Sequence, residues 1–331
     1  MAKAKEEQVK MSFEEKAKEL SKRFSRGEEQ SQIVIPSGSI SLDKALGGGY
    51  RTKRIFEYIA WEGAGKSTLC LHAVAEAQRL GYNVAYIDAE HALDEVYAKK
   101  IGVDWEALKP TLFQPMNGEE AFEFGKELIG TGDLRLCIFD STSGMKPRKE
   151  MEDPAGSSNL GLHARLMGTE IPKIVTLASI HNCAVIFVSQ FREKIGVMFG
   201  SPETTQGGNA LKYWASVRTE IRKSLDKVGD DVVGITSRFK VIKNKIVPPY
   251  QTGEIPIVFG EGISKTEEVK NLLKELQIVK ERMGVLTVVE TGAKYTLKEF
   301  EDSVKDPTMY NDWKDTIIHK LNEEKEAKNE S

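Results

Sequence analysis

Cysteine is scarce in this chain: its 331 residues hold three, Cys70, Cys137 and Cys183. Their spacing suits neither a disulfide framework nor a metal set, so they read as reduced, buried and structural. No apolar run approaches the length of a membrane span, and Met1 to Lys10 is charged without an apolar core. An ordinary signal peptide and a membrane partner are thereby excluded, and a cytoplasmic location is expected. Net charge is nearly absent as well, −3 at pH 7. Any nucleic-acid site must then be a local basic stripe, not a global field. Length is not lacking: it allows a large core and suggests about two domains.

The most telling stretch is Ala60-Trp61-Glu62-Gly63-Ala64-Gly65-Lys66-Ser67, followed by Thr68. It leaves an apolar run, Ile55 to Ile59, and opens into the apolar-periodic segment Thr68 to Leu80. Such a strand–loop–helix corner binds a nucleotide triphosphate through backbone amides and the helix N-terminus. Lys66 would reach the outer phosphates and Ser67 would hold Mg²⁺. Ala60 departs from the usual first glycine, so the backbone there must tolerate a Cβ.

Around this corner, short apolar strands alternate with helices from Ile33 to about Gly262. Strands are predicted over Val84–Ile87, Leu134–Phe139, Ala184–Val188, Ser216–Arg222, Arg238–Lys243 and Ile255–Val258. Helices are predicted over Leu93–Lys100, Glu119–Ile129 and Ala164–Ile180, the last interrupted by Pro172. The class is α/β, with a mostly parallel sheet covered on both faces and ligands at its carboxyl edge. Upstream, Ser12 and Glu15 form a capping box ahead of a helix whose stripe is Phe13, Ala17, Leu20 and Phe24. That stripe can pack on its own domain or on a neighbouring copy. Downstream, a helix is predicted over Glu267–Met283, then a β-like Val285–Val289, a turn at Thr291-Gly292 and two helical stretches to about Leu321. The charged end, Asn322 to Ser331, is expected to be disordered.

Several residues could carry chemistry. Asp140 ends an apolar strand about 70 residues after Lys66, where an acid supports Mg²⁺; its plain alternative is a turn cap. Glu90, in Asp88-Ala89-Glu90-His91, suits a group that orients and deprotonates water, or a loop carboxylate paired with a lysine. Gln190 closes another buried strand, where an amide can sense a terminal phosphate. The segment Ile195 to Asn209 sets apolar residues among glycines. It is either an irregular buried loop or a mobile one that wedges between bases while amides hold phosphates. A second glycine-bearing loop, Glu150 to Leu162, precedes Arg165. Arg218, Arg222, Lys223, Lys240, Lys243 and Lys245 form a basic cluster, either a solvated face or an anion site.

These landmarks together resemble the bacterial-type RecA recombinases over about Ile33 to Gly262. The shared residues include Ser39-Ile40-Ser41-Leu42-Asp43, Asp88 through Asp94, Phe139-Asp140-Ser141 and Gly161 through Arg165. The longest match runs from Lys194 to Arg218, with Lys243-Asn244-Lys245 and Gly260-Glu261-Gly262-Ile263 beyond it. The resemblance implies a RecA-like phosphate-loop ATPase core over 33–262. It also implies an N-terminal oligomerisation helix and linker over 1–32, a small C-terminal α+β domain over 263–321 and a tail over 322–331. The implied activity is an ATP- and single-stranded-DNA-dependent recombinase that forms a filament and exchanges strands with a homologous duplex. By the same resemblance Glu90 is the general base, and Asp94 and Tyr97 contact adenine. Gln190 is the γ-phosphate sensor. Lys243, Lys245 and Phe259 face ATP on the adjacent protomer, and Lys212 and Tyr213 lie at that interface. Leu160, Arg165, Ile195, Gly207, Gly208 and Asn209 line DNA.

Departures accompany the likeness: Ala60, the segment Gly47 to Arg54, Pro172 at a place where a DNA-near arginine is common, and Phe259 for a tyrosine. Ala60 is the one feature favouring a loading factor that hydrolyses little. A motor or phosphotransferase would have no need of the 195–209 loop.

Overall fold

The computed structural model describes residues 12–24, 31–154, 161–193, 203–205 and 208–329. Met1–Ser31 and Gln32–Ser331 form two compact units. In the first, helix α1 (Phe13–Phe24) begins at the capping box. Ser12 N donates to Glu15 Oε2 at 2.9 Å, and Glu15 N donates to Ser12 Oγ at 3.2 Å. Phe13 is 87% exposed and Leu20 38%.

The second unit opens with β1 (Val34–Ile35), α2 (Ile40–Leu46) and β2 (Tyr50–Arg51). Then come β3 (Ile55–Ala60), α3 (Lys66–Arg79), β4 (Asn83–Asp88), α4 (Glu95–Ile101), α5 (Trp105–Leu108) and β5 (Leu112–Phe113). The alternation continues through α6 (Gly118–Gly130), β6 (Leu134–Asp140), α7 (Arg148–Glu152), α8 (Leu162–Ile180) and β7 (Ala184–Glu193). After β8 (Glu203–Thr205) and α9 (Ala210–Trp214) follow β9 (Val217–Val228), β10 (Asp231–Asn244), β11 (Thr252–Val258) and β12 (Gly262–Ile263). Among the described residues these make a ten-stranded sheet ordered β12-β11-β10-β9-β3-β7-β6-β4-β5, with β8 paired to the end of β7.

Pairing is parallel from β9 to β5 and antiparallel on the β9–β12 wing. Strands β9 and β10 run well past their apolar stretches. Each satisfies the other's backbone across the ladder, so polar residues such as Arg222 and Lys223 remain in strand conformation. The central strands are apolar along most of their length because alternate residues enter two cores. Ala184, Ile186 and Val188 join one cluster with Leu69 and Ala73 of α3. Val185 and Phe187 join another with Phe122 of α6 and Ile171 of α8. The three cysteines are free and buried in these cores.

Three sequence expectations need correction. Helix α8 is not interrupted: Pro172 lies inside it. The proline denies the Gly168 carbonyl its N–H donor, but Met167, Ile171, Ile174 and Ala178 are buried on either side of it and hold the helix through that position. The helix expected over Glu267–Met283 ends early, as α10 (Lys265–Glu275). Gln277 turns the chain with φ 57°, and β13 (Val279–Arg282) pairs with β14 (Val285–Val288) and then β15 (Lys294–Thr296). Val279 suits either period, and the hairpin partner decides. Finally, the segment expected to be disordered from Asn322 extends a helix: after α11 (Leu297–Lys305), α12 runs Pro307–Asn329. A helix already nucleated by packed Ile317 and Leu321 propagates through good helix formers. The C-terminal core also takes in Ile40 of α2, beside Val269, Leu273 and Phe300.

Candidate functional site

Strand β3 delivers the phosphate loop at the carboxyl edge of the sheet. Ala60 is its last residue, buried and paired with Gln190 and Ile221 on either side. In strand conformation a Cβ is at home, so the missing first glycine requires no distortion. Gly63 and Gly65 are different, with φ of 63° and 85°. A Cβ on Gly65 would lie 2.5 Å from Ile257 Cδ1, and one on Gly63 2.8 Å from Lys223 Nζ. The antiparallel wing braces the loop from outside: Lys223 Nζ donates to Glu62 O and Ser237 Oγ to Ala64 O, each at 2.9 Å.

Lys66 opens α3 and is only 7% exposed. Its ammonium donates to Trp61 O at 3.0 Å and Ala60 O at 3.5 Å. Burial pulls its pKa down, while Asp140 and Glu90 act the other way. Asp140 ends β6, and burial raises its pKa against the hydrogen bonds of Ser67 and Tyr86. Tyr86 Oη donates to Asp140 Oδ2 at 2.7 Å. Lys66, Ser67 and Asp140 therefore converge as the sequence predicts. One hydroxyl and one carboxylate suit a hard cation that takes its other ligands from water and phosphate. Among the described residues, no group of three or more His, Cys, Asp or Glu could hold a metal alone.

Glu90 stands just past β4, exposed. Its Oε1 accepts from Ser141 Oγ and, at 2.7 Å, from Gln190 Nε2. The expected base and the expected phosphate sensor thus touch directly. Thr68 and Tyr97 also meet, with their hydroxyls 2.9 Å apart. Asp94 caps α4, accepting from Tyr97 N at 2.6 Å, which is why that helix starts at Glu95.

The residues expected to face a neighbouring protomer are not drawn into this site. Lys243 Nζ donates to Lys212 O at 2.8 Å and Tyr213 O at 3.0 Å. Its pKa is lowered by burial first, then by Lys245 and Arg218. Lys245 is exposed beyond β10, and Phe259, 54% exposed, follows β11. Of the expected DNA residues, Leu160, Ile195 and Gly207 lie outside the described residues. Arg165 is exposed on the first turn of α8. Gly208, with φ 72°, sits so close to that turn that a Cβ would lie 3.1 Å from Ala164 Cβ. Asn209 is the exposed residue ahead of α9. The ends of the two expected DNA loops are therefore neighbours.

Sequence reasoning missed several participants. Tyr86 and Ser237 carry no motif, Ser141 stood out only as the neighbour of Asp140 in the Phe139-Asp140-Ser141 match, and Lys223 only as one of several bases. A signal did exist for Glu57, a lone carboxylate in the apolar run Ile55–Ile59. It is buried, with Arg218 Nε at 2.5 Å and Ser189 Oγ at 2.9 Å donating to it.

A phosphate cradle between strand and helix, an acid at the end of a second parallel strand and a carboxylate beyond a third define a phosphate-loop ATPase. The family model described as the RecA N-terminal domain matches residues 7–264. Protein RecA of Porphyromonas gingivalis is 49% identical over 249 residues, 75% of this chain and 73% of that one. Protein RecA of Bacillus subtilis is 45% identical over 302 residues, 86% of each chain. That of Bacillus licheniformis is 44% identical over 292 residues, 85% of this chain and 81% of its own. The chain belongs to the RecA family. It is an ATP-dependent recombinase of DNA recombination and repair and a DNA-dependent ATPase, binding nucleotide and DNA and forming filaments.

Proposed function

We propose that the chain polymerises on single-stranded DNA as a cytoplasmic helical filament and pairs that strand with a homologous duplex. ATP is held between protomers. Lys66 and the amides of Glu62 to Thr68 hold its phosphates, Asp94 and Tyr97 border the adenine, and Lys243, Lys245 and Phe259 reach it from the next subunit. Ser67 and Asp140 would hold Mg²⁺, which when bound neutralises charge on the phosphate oxygens. Glu90 orients a water and takes its proton as the water oxygen attacks the γ-phosphorus. The bond to the bridging oxygen breaks, leaving ADP and inorganic phosphate. Leu160, Arg165, Ile195, Gly207, Gly208 and Asn209 line the strand, and the α1 stripe docks on a neighbouring copy.

The observation that carries this reading is the 2.7 Å hydrogen bond from Gln190 to Glu90. It joins the hydrolytic carboxylate to the strand that leads into the 194–202 segment. A γ-phosphate competing for Gln190 would change both at once, a ligand-driven switch between two states. Steady-state ATP hydrolysis with and without a single-stranded oligonucleotide tests it, with Glu90→Gln as the blank. Stimulation by DNA that vanishes in the blank is expected. DNA-independent turnover would point instead to a motor or phosphotransferase, and DNA binding without turnover to a loading factor.

A further inference from the structure

Trp61 faces two ways. Its carbonyl accepts from the Lys66 ammonium at 3.0 Å. Its indole ring lies beside Phe191, with centroids 5.9 Å apart, and its Nε1 donates to Glu203 Oε1 at 2.8 Å. Phe191 belongs to β7 and Glu203 to β8, the paired strands on either side of the 194–202 segment. Arg222 of β9 completes the cluster. Its guanidinium donates to both carboxylate oxygens of Glu203 and sits 4.7 Å from the centroid of the Phe191 ring.

Phosphate binding by itself gives no reason for an indole at this place, because the loop grips phosphate through backbone amides and Lys66. The side chain is 37% exposed, and its one polar hydrogen is satisfied by the β7–β8 stem. Gln190 and Phe191 are successive strand residues and leave the backbone on opposite sides. Gln190 touches Glu90 and Phe191 touches Trp61, so the last turn of β7 is held to the nucleotide site from both sides.

We infer that Trp61 is a positioning residue, a clasp that ties the phosphate loop to the stem of the proposed DNA loop and sets how strongly nucleotide and DNA sense each other. When Lys66 turns from the Trp61 carbonyl toward a phosphate, the change passes through the Trp61 backbone. The indole carries it to Phe191 and Glu203. The inference rests on the DNA-activated ATPase reading and adds a second connection to the one through Gln190. Coupling of this kind is a ratio of affinities, so it can be measured without hydrolysis.

The experiment is fluorescence anisotropy of a labelled oligothymidylate with the full chain, in a non-hydrolysable ATP analogue and in ADP. The ratio of the two Kd values is the coupling. Trp61→Ala, Trp61→Phe, Glu203→Leu and the double variant Trp61→Phe/Glu203→Leu are compared at saturating nucleotide, with saturation and melting temperature checked for each. The ratio is expected to fall about tenfold in Trp61→Ala and by less in Trp61→Phe, which keeps the ring and loses the N–H. The double variant should be no worse than the poorer single one, because leucine at 203 already lacks an acceptor for the indole N–H that phenylalanine at 61 removes.

An unchanged ratio in Trp61→Ala overturns the inference, as do losses that multiply in the double variant. Should Trp61→Ala melt early, Trp61→Phe and Glu203→Leu decide in its place. A wild-type ratio near one would overturn the DNA-activated reading and the clasp with it. A wild-type ratio well above one that the variants leave intact would overturn the clasp alone.

Discussion

Lys66 shows how one residue's surroundings state its task. A buried ammonium with lowered pKa, donating to two carbonyls of its own loop, is a charge held ready for an anion. Lys66→Ala is expected to abolish nucleotide-dependent DNA binding in a gel-shift assay. Strand exchange surviving that substitution would show the site to be misassigned. His72 gives a residue-scale prediction of another kind. It is buried, its Nε2 accepts the Ile263 amide at 2.9 Å, and burial holds its pKa down at about 4 instead of 6.5. The unfolded chain takes up the proton that the native ring refuses. The stability it supports is therefore complete above pH 6.5 and is lost as pH falls toward 4. Asp43 runs the opposite way. Desolvation pushes it up to about 7, so its contribution is complete below 3.8 and is lost as pH rises toward 7. The two offset each other in the shared window, and only a difference isolates His72. The stability gap between wild type and His72→Leu is expected to shrink by about 2–3 kcal/mol on going from about pH 7.5 to 4.5. Urea unfolding across that range measures it.

Among the elements, α8 carries the plainest test. Pro172 leaves one helical carbonyl without its donor, and an interior proline costs about 3 kcal/mol against alanine. Burial of Met167, Ile171, Ile174 and Ala178 holds the helix through the proline, so Pro172→Ala is expected to return about 1 kcal/mol, read as a higher urea midpoint with an unchanged slope. Helix α6 lies on β6 with nothing to spare: a Cβ at Gly125 would come 2.5 Å from Phe139 Cζ. Gly125→Val is expected to cost about 2–3 kcal/mol through overpacking, visible in the same titration. Both helices were legible in outline, because apolar spacing marks a helix whatever it touches. Their details were not. Whether a proline breaks a helix depends on what the turns flanking it pack against, and the end of α10 depended on a hairpin partner for Val279.

For the molecule as a whole, the chain divides into Met1–Ser31 and Gln32–Ser331. A chain beginning at Gln32 is expected to melt as the full chain does yet sediment as a monomer, since the α1 stripe is proposed to serve a neighbouring copy. Equal sedimentation of the two chains would remove α1 from the filament. At this scale the sequence alone determined the phosphate loop, the acid that ends β6, the alternating α/β core and the family. These depend on contiguous residues and on backbone geometry, which local spacing records. Tertiary structure alone decided the remainder. It set Ser237 and Lys223 behind the phosphate loop, joined Gln190 to Glu90, buried Glu57 with Arg218 and brought Trp61 to Glu203. Each pairs residues about 100 or more positions apart, and which side chains meet at that separation follows from strand order and register, which no local pattern encodes.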